Sequence, residues 1–289
     1  MDGLSKQLSH NSSFRRNFRK ALKSPQLVVG LVIVVIFVFI AIFAPLLAPH
    51  DPLDAVIVRR LEASSFEYPL GTDNLGRCVM SRLMYGARIS LTVGILATAM
   101  GALIGVFFGL ISGYYGGIVD TLIMRVADVL MAFPGILLAL GIVAILGRST
   151  ANVIIAVAIF AVPGYARIVR GSTLTVRKLE YIDAIRALGA RDGRIIFRHV
   201  LPNILSPIIV QSTLNVGTAV VAAAALAFLG VGTPPPTPEW GIMLSGGREF
   251  LGVAPRLVML PGLMIFLLVV GINLFGNGLR DILEPKNRS

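Results

Sequence analysis

The sequence predicts an all-α membrane protein with six transmembrane helices, and three observations lead to this fold class. Apolar residues make up 55% of the chain and charged residues 14%, whereas about a quarter of an average soluble protein is charged. Six apolar stretches reach or approach the length of about 20 residues that crosses a bilayer. The basic residues collect between these stretches and form no single face, so the net charge of +11 does not indicate nucleic-acid binding.

The predicted spans are, in chain order, residues 26–47, 89–112, 129–147, 151–169, 205–230 and 257–279. The first follows Ser24 and Pro25, which suit the N-cap and the first turn of a helix. Its apolar core is longer than the ~7–15 apolar residues of a signal peptide. We therefore predict a retained anchor that stays in contact with membrane lipid.

Small residues and prolines distinguish the other spans. In span two a glycine recurs every four residues, at Gly101, Gly105 and Gly109, which predicts a smooth strip where another helix packs closely. Span three contains Pro134 and span four contains Pro163; each proline fits either a fixed kink or a hinge. After span five, the proline-rich loop 232–240 is predicted to be extended, with Trp240 as an anchor at the outer membrane interface.

Lysine and arginine set the predicted orientation, because they are enriched in cytoplasmic segments. With the N-terminus inside, all the lysines are cytoplasmic, namely Lys6, Lys20, Lys23, Lys178 and Lys286. The basic segment 1–25 and the tail 280–289 then lie inside, residues 48–88 form a periplasmic loop, and residues 89–279 form the main transmembrane domain. Residues 12–23 fit either a short amphipathic helix on the inner leaflet or a disordered basic tail.

Motifs for catalysis, metal binding and nucleotide binding are absent from the sequence. Cys78 is the single cysteine and the three histidines lie far apart, which excludes a disulfide and a cysteine-based zinc site. There is no phosphate-binding loop ending in Gly-Lys-Ser/Thr and no Gly-x-Ser-x-Gly motif. We predict that the chain is not an enzyme and binds no cofactor or metal, so that energy for transport comes from another polypeptide.

Ionisable residues are missing from the cores of predicted spans one, two, five and six. An ion-coupled transporter normally needs such a group at membrane depth. An ion-coupled transporter or channel that acts alone is therefore the less favoured alternative, and a membrane scaffold without a transport role is a further one.

A basic segment between spans four and five, residues 178–203, predicts a helix-turn-helix elbow on the inner membrane face; we call it the elbow. Residues 178–187 form the first predicted helix, and Gly189 can adopt the left-handed conformation that ends it. Residues 193–200 form the second, which Leu201 and Pro202 are predicted to stop. Apolar residues are predicted to be exposed on this surface within a basic surround, at Ile182, Ile185, Ile195, Ile196 and Val200. Such a surface suits an interface with an acidic groove.

Four segments in order carry a family signature: Leu70–Arg77 with Ser81–Arg82, Asp183–Pro202, Pro235–Gly241 and Gly278–Asp281. They resemble the second permease subunit of the peptide, nickel and glutathione branch of ABC importers, and the resemblance covers nearly everything after residue 25. Family members usually carry Glu-Ala-Ala where this chain has Asp183–Ala184–Ile185, and often an acid where it has Cys78. Asp183 keeps the charge, whereas Ile185 is larger than alanine and changes the packing there.

The resemblance implies a type I ABC importer permease with cytoplasmic coupling helices between spans four and five. A homologous second permease would pair with this chain, two ATPase subunits would bind ATP, and a periplasmic or lipoprotein solute-binding protein would deliver a di- or oligopeptide or a related solute. The residues expected to couple to the ATPase are Asp183, Ala184, Arg186, Gly189, Arg191, Arg194, Leu201 and Pro202. The three arginines among them are added from charge placement and not from the family motif.

Polar residues at membrane depth are candidates for lining the transport pathway. Gln211 and Asn215 are four residues apart and share a face of span five, and Asn273 lies on span six. Hydrogen bonds between helices are the more frequent use of such groups in membranes. Both roles therefore stay open at this point.

Overall fold

A computed structural model describes residues 24–283 of the chain. The predicted amphipathic or disordered segment at 12–23 lies outside the described residues, as do nearly all of the basic segment 1–25 and the end of the tail 280–289.

The chain is built from helices, as predicted. In order they are α1 (Pro25–Leu47), α2 (Val79–Tyr115), α3 (Gly117–Ala132), α4 (Gly135–Leu146), α5 (Thr150–Arg177), α6 (Glu180–Ala187), α7 (Asp192–Ile195), α8 (Leu201–Asn203), α9 (Leu205–Phe228), α10 (Trp240–Gly247) and α11 (Arg256–Leu283). Helices α1, α2, α5, α9 and α11 are long and apolar enough to span a membrane, and the pair α3 and α4, bent by 92°, makes a sixth when it is counted as one span. With the bent pair counted as one span, the predicted fold class is confirmed.

Helix α2 begins at Val79, ten residues before the predicted start of span two at residue 89. The sequence-based boundary treated Arg82 as part of a solvated loop, but its side chain is buried with 3% exposed. Arg82 donates hydrogen bonds to the carbonyl oxygens of Pro52 (3.1 Å) and Pro236 (3.4 Å), and its Nε lies 3.5 Å from Asp73 Oδ2. Since these partners compensate the buried guanidinium, the helix extends through a charged residue, and the predicted periplasmic loop ends near residue 78 instead of 88.

Span three is wrong as a single helix over 129–147, because the chain breaks between α3 and α4. Phe133 is extended, with φ −86° and ψ 138°, as expected for a residue that precedes a proline. Pro163, in contrast, lies inside the continuous helix α5. The two Pro-Gly pairs therefore have opposite outcomes, and packing against α2 favours the intact helix at the second.

The glycine strip of α2 packs against α5 so closely that a side chain has no room. A Cβ atom built on Gly105 would lie 2.4 Å from the Tyr165 Cβ and 2.7 Å from the Val162 carbonyl oxygen. Gly109 and Gly113 meet the next turns of α5 in the same way, at 2.6 Å from the Ala166 oxygen and 2.7 Å from the Thr173 Cβ respectively. The predicted strip is thus a helix-packing surface, and it runs towards the end of α2 that carries the elbow.

The loops at the other end of the molecule form a structure that we call the loop cap, residues 48–78 and 229–255. Besides the Arg82 contacts, Arg256 at the start of α11 donates to the carbonyl oxygens of Leu61 (3.1 Å) and Glu62 (2.7 Å). Asp73 pairs with Arg77 at 2.7 Å within a turn of the loop cap. Side chains from two spanning helices therefore hold the loop cap in place.

Trp240 is not an interface anchor, contrary to the sequence-based prediction. Its side chain is fully buried, its Nε1 donates to the Leu83 carbonyl oxygen at 3.0 Å, and Phe37 of α1 packs edge-on against it at 5.8 Å. The single tryptophan is a core residue that joins the loop cap to α1 and α2.

Glu239, next to Trp240 in the loop cap, is a buried acid with 2% of its surface exposed. Its Oε1 accepts a hydrogen bond from the Gly241 backbone N–H at 3.1 Å, while its Oε2 is buried without a partner among the described residues. Burial raises the pKa of the Glu239 carboxyl from 4.5 to about 7, because removal from water disfavours the charged form.

We expect Gly105→Ala to lower the thermal unfolding midpoint in detergent by several degrees, because overpacking a tight contact costs ~1–3 kcal/mol. Gly141→Ala is the matched control, since a Cβ there meets nothing within 4 Å. Equal midpoints for the two variants would contradict the close approach of α2 and α5.

We expect Glu239→Gln to stabilise the protein at pH 8 but not at pH 5. Between pH 4.5 and about 7 the folded state keeps a proton that the unfolded state has lost, so wild-type stability falls as pH rises through this window and is constant above it. The loss amounts to roughly 3 kcal/mol, and glutamine removes it because it stays neutral. Chemical unfolding of both proteins at the two pH values measures the difference; the same stability gap at both would contradict the prediction.

Candidate functional site

The first half of the elbow folds as predicted, with α6 ending in a glycine turn. Gly189 adopts φ +83°, a conformation that side chains rarely take. The Gly189 and Ala190 backbone N–H groups donate to the carbonyl oxygens of Arg186 (2.9 Å) and Ile185 (3.3 Å), which closes the end of the helix. The turn sends the chain back towards the membrane helices.

The second half of the elbow differs from the prediction. Helix α7 continues through a π-helical turn at Ile196–Val200 into α8, so Leu201 and Pro202 do not stop it. Pro202 lies one residue before the end of this continuous helix, at Asn203. The chain turns only at Ile204, which has φ −108° and ψ 8° before α9.

The apolar residues that were predicted to form the partner surface are mostly part of the chain's own core. Ile182, Ile195 and Val200 have no exposed surface and pack in one cluster with Leu110 and Tyr114 of α2 and with residues of α5. Burial within the chain satisfies these side chains, so they anchor the elbow to the membrane helices and not to a partner.

Two other apolar side chains of the elbow are exposed and were missed by the sequence analysis. Leu188, with 87% of its surface exposed, lies at the tip of the turn after α6, and Phe197, 65% exposed, lies on the π-helical turn. Leu188 was missed because it lies one residue beyond the end of α6, which is at Ala187. Its position immediately before Gly189 is the signal that could have found it, since a residue at a tight turn projects from the fold.

The predicted coupling residues lie mainly on the surface of the elbow. Exposed are Asp183, Ala184, Arg186, Gly189, Arg191, Arg194 and Pro202, and Leu201 is half-buried. Asp183 and Arg186 form an exposed ion pair at 3.1 Å, an arrangement that contributes little to stability. In the isolated chain, a second protein could reach these residues.

Behind the elbow, the adjoining ends of the membrane helices are joined by charged pairs. Arg170 of α5 contacts Asp120 of α3 through Nε (2.5 Å) and Nη2 (2.6 Å), and the Ser112 hydroxyl of α2 donates to the same carboxylate at 2.5 Å. A two-point contact of this kind fixes orientation as well as distance. Three spanning helices therefore meet at Asp120.

The predicted pathway residues are not joined to each other. Gln211 and Asn215 are half-buried on α9 and Asn273 is exposed on α11, and no hydrogen bond in the described part of the chain links them. Asn215 lies within reach of the Tyr165 hydroxyl of α5, which also donates to the Ser212 hydroxyl at 3.1 Å. Asn215 thus joins α9 to α5, whereas the Gln211 side chain makes no such contact between described helices and could contact a solute.

No group of three or more His, Cys, Asp or Glu side chains within residues 24–283 is arranged to hold a metal ion. The elbow presents an exposed surface with apolar and basic side chains, and the spanning helices behind it are joined by polar contacts.

A protein family described as "Binding-protein-dependent transport system inner membrane component" matches residues 105–289, which is more than half of the chain. The chain belongs to this family. A second family description, "N-terminal TM domain of oligopeptide transport permease C", matches residues 12–63. The two matches together take in the first span, part of the loop cap and the elbow.

Individual relatives agree with the family. The glutathione transport system permease protein GsiD of Pectobacterium atrosepticum is 50% identical over 228 residues, 79% of this chain and 76% of the relative. The dipeptide transport system permease protein DppC of Alkalihalophilus pseudofirmus is 52% identical over 230 residues, 80% of this chain and 76% of the relative.

Among solved structures, a chain of the MetNI methionine ABC transporter in an inward-facing conformation has the same fold. The TM-score is 0.57 at 20% identity, over 70% of this chain and 97% of that one. The family match and the two relatives show that the chain is a permease subunit of an ABC importer and a multi-pass inner-membrane protein. The predicted family resemblance is confirmed.

Proposed function

We propose that the elbow is the cytoplasmic docking site for an ATPase subunit and that both chain termini are cytoplasmic. When the bent pair α3–α4 is counted as one span, four spans separate the N-terminus from the elbow and two separate the elbow from the C-terminus. This count supports a topology in which all three lie on one side of the membrane. The lysines, which concentrate in these segments, favour the cytoplasmic side. The loop cap is then periplasmic.

The docking surface combines two apolar anchors with a basic rim. Leu188 and Phe197 are the most exposed large apolar side chains of the elbow, and Arg186, Arg191 and Arg194 are exposed around them. Apolar anchors provide most of the affinity of an interface, and a basic rim selects an acidic groove. The remaining contact residues of this proposal are Asp183, Ala184, Gly189, Leu201 and Pro202.

The complete importer would contain this chain, a homologous second permease, two ATPase subunits and a periplasmic or lipoprotein solute-binding protein. ATP binds to the ATPase subunits, and this chain has no catalytic role. The family description, which names binding-protein-dependent transport, supports this assignment, as does the exposed apolar surface on the described spans, of which Leu103 on α2 (74% exposed) is one example. In the assembly such surface would face lipid or the second permease.

The transported solute in this proposal is a small peptide. The observation that carries it is the 50–52% identity to permeases named for glutathione and dipeptide transport, since both solutes are short peptides with free carboxylates. Gln211 is the favoured pathway residue, because Asn215 already contacts α5 and Asn273 lies on a different helix. Transport follows when ATP-driven movement of the ATPase subunits displaces the elbow and the helices attached to it.

We expect Leu188→Asp to weaken retention of the ATPase subunits about tenfold or more in a pull-down of the co-expressed complex, as for loss of a central apolar anchor. Leu53→Asp is the matched control, since Leu53 is also exposed (48%) but belongs to the loop cap. Normal ATPase retention by Leu188→Asp, or loss of retention by Leu53→Asp, would overturn the docking assignment.

We expect proteoliposomes that contain the full complex and its binding protein to import a labelled dipeptide only when ATP is supplied inside. Excess unlabelled dipeptide should compete, and a free amino acid should not, because the relatives that support the proposal are named for peptides. Import of the free amino acid without import of any peptide would disprove the substrate class but leave the docking site untouched.

A further inference from the structure

Tyr114 lies at the last turn of α2, where the membrane helices meet the elbow. Its side chain is buried, with 4% exposed, and belongs to the same apolar cluster as Ile182 and Ile195 of the elbow and Val169 of α5. The ring is therefore part of the shared core of membrane helices and elbow. Neither the family match nor the coupling motif assigns it a role.

The hydroxyl of Tyr114 extends this contact with a directional bond. It donates to Asp192 Oδ1 at 2.6 Å, at the start of α7. This bond joins the side chain of a spanning helix directly to the elbow. The acceptor is a carboxylate, and hydrogen bonds to charged groups are shorter and stronger than neutral ones.

Two arginines complete the surroundings of Tyr114. The guanidinium carbons of Arg177, at the end of α5, and of Arg186, on α6, each lie 5.9 Å from the centre of the ring, within the range of a cation–π contact. Arg186 also lies near the hydroxyl. One side chain of α2 thus touches α5, α6 and α7.

The apolar cluster alone leaves the orientation of the elbow weakly defined, because apolar attraction has no preferred direction. A hydrogen bond does have one, so the Tyr114 hydroxyl fixes how α7 is turned relative to α2. Since the glycine strip holds α2 against α5 down to Gly113, a displacement of α7 transmitted through Tyr114 moves both helices together.

We propose that Tyr114 is the positioning residue that ties movement of the elbow to movement of α2 and α5, so that its hydroxyl sets how much solute is imported per ATP hydrolysed. This inference rests on the proposed function, in which the elbow binds an ATPase subunit. It adds a residue on the membrane side of that contact, which the ATPase does not need to touch.

The test measures ATP hydrolysed per dipeptide imported, in proteoliposomes that contain the full complex. Tyr114→Phe keeps the ring and both cation–π contacts but removes the hydroxyl. We expect it to retain the ATPase subunits in wild-type amounts and to raise the ATP cost per dipeptide about tenfold, the low end for a lost hydrogen bond to a charged group. Tyr115→Phe, at the half-exposed neighbouring tyrosine, is the matched control and should leave the ratio at the wild-type value.

Variants of the acceptor separate positioning from packing. Asp192→Ala should raise the ratio as Tyr114→Phe does, and the double variant should be no worse than either single one, since both remove the same bond. Asp192→Asn keeps an acceptor oxygen and should recover at least half of the loss that Asp192→Ala causes, which a purely structural role of the ring would not predict.

Three results would overturn the inference: a wild-type ratio in Tyr114→Phe, additive effects in the double variant, or loss of ATPase subunits from Tyr114→Phe. Failure of the proposed function gives a different result in the pull-down. In that case the wild-type chain would not retain the ATPase subunits, or Leu188→Asp would retain them as well as wild type does.

Discussion

The close approach of α2 and α5 is the contact on which the rest of the structure depends. Along the strip from Gly101 to Gly113 the two helices meet backbone to backbone, as small residues allow in membranes where no water drives helices together. This contact fixes the pair as a frame. The loop cap is attached to the start of α2 through Arg82, and the elbow is attached to its end through Tyr114.

The elbow is an extension of this frame and not a separate loop. Its buried isoleucines complete the apolar cluster at the ends of α2 and α5, while Leu188 and Phe197 project away from it. The two sets of apolar residues have different uses, since burial in the chain's own core stabilises the elbow and exposure leaves affinity for a partner. A surface that is both firmly held and apolar at its tip is suited to receiving force from another subunit.

Asp120 gives the frame a third member. Its carboxylate accepts from Arg170 of α5 and Ser112 of α2, so the first half of the bent span is tied to the other two helices near the elbow. The second half, α4, turns away by 92° after Pro134. Helix α3 therefore belongs to the frame, whereas the direction of α4 is set by the proline break. The two helices need not move together.

The sequence by itself determined the fold class, the glycine strip and the turn at Gly189, because each depends on local composition, spacing or the backbone preference of a single residue. Only the tertiary structure decided that α2 starts at Val79, that Trp240 is buried and that Pro134 breaks a helix while Pro163 does not. The partners of Arg82 lie 30 and 154 residues away in the chain, and hydropathy cannot register such a compensation. The roles of the elbow residues were hidden for the same reason. Helical periodicity places Ile182 on an apolar face of α6 and Ile195 on an apolar face of α7. Whether those faces contact α2 or a partner depends on how the elbow folds back.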